Sequence, residues 1–177
     1  MLKNKYGQIW IETVIYTLIG LTIIIIIMSV ATPQIEKVKD RTIVKNMVTI
    51  LNEIDNKITQ TVQAEGNLRN IHITMSKGSL EINSSDNFIR YVLDNTRLEL
   101  SEPGEEIEQV GIKIKTEKMG SRFRVILTRD YNSVNITFNN KAESRFLHAG
   151  GTTHNLVMQN MGDNTINEPP HIDFTLL

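Results

Sequence analysis

Cysteine is absent from this 177-residue chain. That excludes disulfide frameworks, thiolate zinc sites and cysteine nucleophiles together, so any extracellular part has to be held by packing alone. Aromatic residues are also scarce, 6% of the chain against 40% hydrophobic overall, which leaves room for one modest core and something besides. Neither sign of charge dominates: 19 lysines and arginines face 20 aspartates and glutamates. A nucleic-acid-binding surface needs a clear basic excess to neutralise phosphates, so nucleic acid is not expected as the primary partner. Internal repeats, low-complexity tracts and flexible linkers are missing as well.

Charge is missing locally too, and here the gap carries a message. Between Glu12 and Glu36 the only titratable side chain is the phenol of Tyr16. Residues 13–35 include the run Ile23-Ile24-Ile25-Ile26-Ile27-Met28; as a helix they would reach roughly 34 Å, enough for a hydrocarbon core of about 30 Å. A buried core helix of this length would need a larger globule than the remaining chain supplies. A cleaved secretory signal has an apolar region of about 7 to 15 residues and a small-residue cleavage site, whereas Ser29-Val30-Ala31-Thr32-Pro33 offers a poor one. The segment reads as a retained membrane span. Lys3 and Lys5 precede it and Glu36, Lys37, Lys39, Asp40 and Arg41 follow, so flanking charge does not set its orientation.

The residues in front of the span are Lys3, Lys5 and Gly7, then Gln8-Ile9-Trp10-Ile11-Glu12, and the apolar run begins at once. This arrangement resembles the leader of type IV prepilins, most closely the archaeal kind with a class III signal peptide. The resemblance implies that a membrane-embedded prepilin peptidase cuts between Gly7 and Gln8. Gln8 then becomes the mature N-terminus and Glu12 its fifth residue. Glutamine in first place matches the archaeal pattern; the third place holds Trp10 where that pattern often has serine. Archaellins, which usually lack the glutamate, are a weaker match. The resemblance further implies a homo-oligomeric filament with identical or related pilins, built around the apolar helices after the subunit leaves the membrane.

A physical argument runs beside the resemblance. A carboxylate on an apolar helix costs on the order of 3 kcal/mol at the bilayer centre and less near the interface, so Glu12 should have a partner. Cleavage after Gly7 would place the α-amine of Gln8 about one turn away, either in the same subunit or in a neighbour. In the prepilin family this pairing is thought to register subunits during assembly.

Helical patterning continues past the span. Ile43, Met47, Ile50, Ile54 and Ile58 recur at helical spacing, with Ile35 and Val38 before and Val62 after, while Lys39, Asp40, Lys45, Asn46, Glu53 and Lys57 fill the other positions. The stripe is expected to pack on the chain's own β domain, and alternatively on neighbouring subunits. Glu53 and Lys57 form a favourable pair, Gly66 is a natural stop, and Pro33 should kink or loosen the helix near the membrane boundary. The chain therefore divides into a leader (1–7), a long helix (8–66, membrane-spanning over 13–35 and amphipathic over 36–66) and a β-rich head (67–177).

The head contains all five phenylalanines. Short β-prone runs alternate with turn signals: 71–75, 79–83, 88–93, 97–100, 110–115, 123–128, 133–138, 145–148, 155–159 and 172–176. Turns are expected at Lys77-Gly78, Asp94-Asn95, Pro103-Gly104, Met119-Gly120-Ser121, Asn139-Asn140, Gly150-Gly151 and Gly162-Asp163-Asn164. The expected class is α+β, with an antiparallel sheet or sandwich after the helix.

Chemistry is not apparent. His72, His148, His154 and His171 are scattered without metal-ligand spacing, and the glycine turns lack phosphate-loop context. No nucleophile elbow is present. No metal, cofactor or enzymatic activity is therefore expected. Two sequons, Asn83-Ser84-Ser85 near a turn and Asn135-Ile136-Thr137 within a strand, fit an extracellular domain; Asn83 is the better placed, and Asn135 must point outward to serve. The expectation is a structural filament subunit. The alternatives are a monomeric signal-anchored surface binding protein and a minor pilin or pseudopilin of a secretion or uptake system.

Overall fold

The computed structural model describes residues 5–162 and 168–177, with side chains from Ile9 onward. Lys3 of the basic stub and the Asp163-Asn164 part of an expected turn lie outside the described residues. The fold is α+β, one long helix followed by ten strands. Helix α1 (Lys5–Val62) has 58 residues and contains Pro33 in its interior. Pro33 withdraws one backbone donor, so the Ser29 carbonyl loses its usual partner, yet the helix continues on both sides. Two compact units divide the chain, one ending at Val38 and the other comprising Lys39–Leu177. The second half of the helix thus belongs to the head.

In that second unit the buried apolar helix positions are Val44, Met47, Leu51, Ile54 and Ile58. The period expected from the sequence is right, but the stripe is rotated. Ile43, Ile50 and Val62 are only partly buried at the margin of the core, and Ile35 and Val38 are exposed. Asp40, assigned to the polar face from the sequence, is buried at 5% exposure. One Asp40 oxygen accepts from Lys77 Nζ at 3.0 Å and the other from the Thr96 hydroxyl. This network ties the helix to the turn before β2 and to the end of β3.

The strands form two sheets. The first has four strands in the order β1 (Leu68–Thr74), β9 (Thr153–Asn160), β10 (His171–Leu176) and β7 (Asn135–Phe138). The second has six: β4 (Glu106–Gln109), β5 (Ile112–Met119), β6 (Arg122–Asp130), β3 (Phe88–Thr96), β2 (Ser79–Asn83) and β8 (Arg145–His148). Pairing is antiparallel throughout except between β10 and β7, which run parallel. Aliphatic side chains fill the core with Tyr91, Phe138 and Phe174. Phe146 is the phenylalanine that departs from expectation, at 52% exposure.

Nine of the ten expected strands are present, and the two differences have physical causes. Residues 97–100 are irregular because side-chain hydroxyls replace the ladder: Leu98 N–H donates to Thr96 Oγ1, and Leu100 and Ser101 N–H donate to Thr116 Oγ1. Strand β4 went unrecognised because all four of its residues are exposed, so it lacks the apolar alternation that marks a half-buried strand. Its two-residue turn to β5 puts Val110 at φ 51° and Gly111 at φ 71°. For a β-branched residue that conformation is strained. Arg129 holds the turn, donating to the Val110 carbonyl at 2.6 Å and to Asp55 of α1 at 2.7 Å.

The helix terminus is closed from a distance. Asn160, at the end of β9 and 4% exposed, directs its Nδ2 at the carbonyls of Thr61, Val62 and Ala64 at 3.2, 3.4 and 3.1 Å. Gly66, at φ 73°, then turns the chain and donates its N–H to the Asn160 carbonyl. The expected glycine stop is in place, and the capping is shared with a side chain from the far end of the sequence.

Candidate assembly surface

Among the described residues, the large apolar side chains of the first unit's helix are exposed. The most apolar stretch of α1 has no buried residue, and Trp10 is 75% exposed. Each of the five Ser and Thr hydroxyls in the span is satisfied within the helix. Thr13, Thr17, Thr22 and Thr32 donate to carbonyls four residues back, and Ser29 to the carbonyl three back. Such back-bonding lets a hydroxyl do without water, and the exposed Thr49 and Thr59 beyond the span make the same bond. Glu12 is then the one charged side chain between Ile9 and Ile35, and it is exposed. The backbone at Gly7 and Gln8 is helical, so the expected cleavage point lies one turn before Glu12 on the same helix.

The head offers little chemistry. Among the described residues no cluster of three histidine, aspartate or glutamate side chains could hold a metal. The nearest approach to a catalytic arrangement is His171, Thr137 and Asp173. Thr137 Oγ1 lies 2.7 Å from His171 Nε2 and donates to Asp173 Oδ1 at 2.6 Å. The hydroxyl proton already points at the carboxylate, so the imidazole must donate to the threonine oxygen and cannot act on it as a base. Thr137 and Asp173 are also buried. Asp173 accepts from Asn140 N–H as well, which makes the group a brace between β7, β10 and the Asn139-Asn140 turn.

The sequons are placed unequally. Asn135 opens β7 with its side chain exposed between buried Val134 and Ile136. Asn83 is half-buried at the end of β2, where its Oδ1 accepts from Asp86 N–H and its Nδ2 donates to Glu81. Asn135 therefore presents the freer amide. A groove of about 540 Å³ beside α1 has an apolar floor of Val44, Val48, Leu100 and Ile114 with Arg41 and Lys45 at its rim; no acid lines it, and the hydroxyl of Thr49 there donates to the Lys45 carbonyl.

Buried groups in the head serve packing. Burial pushes the phenols of Tyr91 and Tyr131 up, with the carboxylates of Asp40 and Asp55 respectively adding to the effect. Tyr91 donates to the Lys77 carbonyl. Asp40 and Asn160 escaped sequence reasoning, since the partners that bury each of them, Lys77 and Thr96 for Asp40 and the helix-end carbonyls for the Asn160 Nδ2, lie more than 35 positions away. The exposed, alternating Glu106-Ile107-Glu108 and the exposed Phe146 are the other features it missed.

Compared with protein-family models, with curated proteins and with solved structures, the chain finds no match. The structure itself defines the class: among the described residues, one N-terminal helix long and apolar enough to cross a membrane, followed by a folded α+β unit.

Proposed function

We propose that the chain is the structural subunit of an extracellular filament of the type IV pilin kind. It is inserted in the membrane as a single-pass precursor, cut between Gly7 and Gln8 by a prepilin peptidase, and polymerised through its apolar helix with the heads facing outward. It performs no reaction and carries no cofactor. The observation that supports this best is the pairing of a fully uncovered apolar helix with one acid, Glu12, placed five residues after a glycine that follows a basic stub. An unprocessed monomer in a membrane would satisfy the apolar side chains with lipid but leave Glu12 without the α-amine that cleavage creates. Processing gives it a counter-charge, the α-amine of Gln8, and in a filament the amine of a neighbour can take that place and register the two subunits.

Intact-mass and N-terminal analysis of the protein from native membranes and from the shed surface fraction tests the reading. An N-terminus at Gln8 is the expected result, together with loss of filaments and retained membrane insertion in the variant Glu12→Gln. An N-terminus still at Met1, or unchanged filaments in that variant, would overturn it and leave a signal-anchored surface protein as the better account.

A further inference from the structure

We propose that the six-stranded sheet continues from one copy of this chain into the next, with the edge strand β4 of one head pairing antiparallel with the edge strand β8 of its neighbour. The two free edges of this sheet differ in sign. Strand β4 carries Glu106 and Glu108 and no cation, and it follows Glu102 and Glu105. Strand β8 carries Arg145 and His148 and no acid. Like edges would repel one another; unlike edges attract.

Strand direction and register agree with that pairing. All five pairings in the sheet are antiparallel, so six strands alternate and β4 runs opposite to β8. A translated copy therefore brings its β4 antiparallel to β8. One row of inward side chains crosses the whole sheet, from Ile107 through Ile114, Leu127, Tyr91 and Leu80 to Leu147. The outward row beside it runs from Glu108 through Lys113, Thr128, Arg90 and Glu81 to Phe146. The next outward row starts at Glu106 and ends at His148. Continued without stagger, the rows place Ile107 against Leu147, Glu108 against Phe146 and Glu106 against His148. Apolar meets apolar on the inner face, and a carboxylate meets an imidazole on the outer.

The backbone alternation fits as well. The two-residue turn at Val110-Gly111 makes Gln109 and Ile112 a hydrogen-bonded pair, so the N–H and C=O groups of Glu106 and Glu108 point away from β5. On the other edge, Ala149 N–H donates to the Gly78 carbonyl, which by the same alternation turns Phe146 and His148 away from β2. The outward-pointing residues of both edges are thus the ones the register sets opposite each other. The His148 carbonyl already accepts from His154 Nε2 at 3.1 Å and keeps its second lone pair for Glu106 N–H. Phe146 stacks on His148 with centroids 6.5 Å apart, and its exposure in the single chain ends when the next copy's β4 lies beside it. The two patches differ, so the contact is head-to-tail and builds an open chain of heads, advancing about 29 Å per copy from the strand spacing.

The absence of cysteine permits a direct test in the full chain. Glu108→Cys and Phe146→Cys combined in one chain should form a ladder of disulfide-linked multimers when native membranes or filaments are mildly oxidised. A hydrogen-bonded antiparallel pair sets Cα atoms about 5.5 Å apart, within disulfide reach. Each single variant should give no cross-link. The combination Glu106→Cys with Phe146→Cys, a diagonal about 7–8 Å apart, should give about fivefold less than the in-register pair. Both sites are exposed, so folding is preserved, which retained expression and protease resistance verify. Absence of the ladder in a folded double variant overturns the proposal, as does equal cross-linking of the diagonal pair or self-linking of a single variant. The readout is independent of leader cleavage. A ladder from protein still carrying Met1 would overturn the filament reading alone, and filaments without the ladder would overturn this pairing alone.

Discussion

Asn160 offers the sharpest stability prediction, because shape and hydrogen bonding can be separated there. Its Nδ2 faces three carbonyls at the end of α1, at 3.1, 3.2 and 3.4 Å. Two hydrogens serve three acceptors, so about two good bonds are made. Its Oδ1 accepts from Gly162 N–H at 2.9 Å. Replacement by alanine removes these bonds in a site that is nine-tenths buried, at about 1 kcal/mol each, for a loss of about 2–3 kcal/mol. Asn160→Asp keeps the shape and loses more, about 3–5 kcal/mol, since an anion then faces three carbonyls at the negative end of a helix. Aspartate should therefore be worse than alanine, against the ranking by size. The sign of the pH dependence follows. The carboxylate introduced by Asn160→Asp is disfavoured as an anion in the fold, so its folded pKa lies above the unfolded value of about 3.9. Its penalty is complete above the folded pKa and fades as pH falls toward the unfolded one, where the protonated acid can donate. Denaturant unfolding of the full chain in detergent micelles, followed by near-ultraviolet circular dichroism of Tyr91 and Tyr131, reads both effects. Equal stability of the two variants, or a penalty for aspartate that does not shrink in acid, would refute the capping account.

The Val110-Gly111 turn should respond in opposite directions at its two positions. Val110→Asn relieves a left-handed β-branched residue and should stabilise by about 1 kcal/mol, raising the melting temperature by about 2–4 °C. Gly111→Ala should destabilise by about 2–3 kcal/mol, because its Cβ would sit 2.4 Å from Arg129 Nη1 at φ 71° and displace the Arg129 bonds to Asp55 and Val110; thermal unfolding of both variants checks this. The buried phenols set an alkaline limit. With Tyr91 and Tyr131 ionising later in the fold than in the unfolded chain, the unfolded state releases protons first, so stability falls as pH rises past about 10, by up to about 2.7 kcal/mol per pH unit. Phenolate absorbance should then show both phenols ionising together with unfolding, and Tyr131→Phe should flatten the decline.

What the sequence determined by itself is local. Residues 13–35 announce an apolar helix because lipid compatibility depends on composition, and no distant partner is needed to read it. The β-prone runs between turn signals at 79–83 and 145–148 placed two strands without error, and the glycines at 66, 78 and 120 marked chain reversals where positive φ is required. Glu12 after Gly7 was visible because its meaning lies in spacing along one helix. Packing against the sheets set the phase of a stripe that is legible along the chain only as a period. A helix with apolar residues at 43, 44, 47, 50, 51 and 54 can turn either edge of that stripe inward, and the sheets chose Val44 and Leu51. Contacts made across long separations were also closed to sequence reasoning. Asp40 is buried because Thr96 and Lys77 come to meet it, and the helix ends where it does because Asn160 arrives nearly 100 residues later. Phe146 and β4 looked like a core residue and a loop. Which strand stands at a sheet edge depends on the order of pairing, and that order is a property of the assembled sheets.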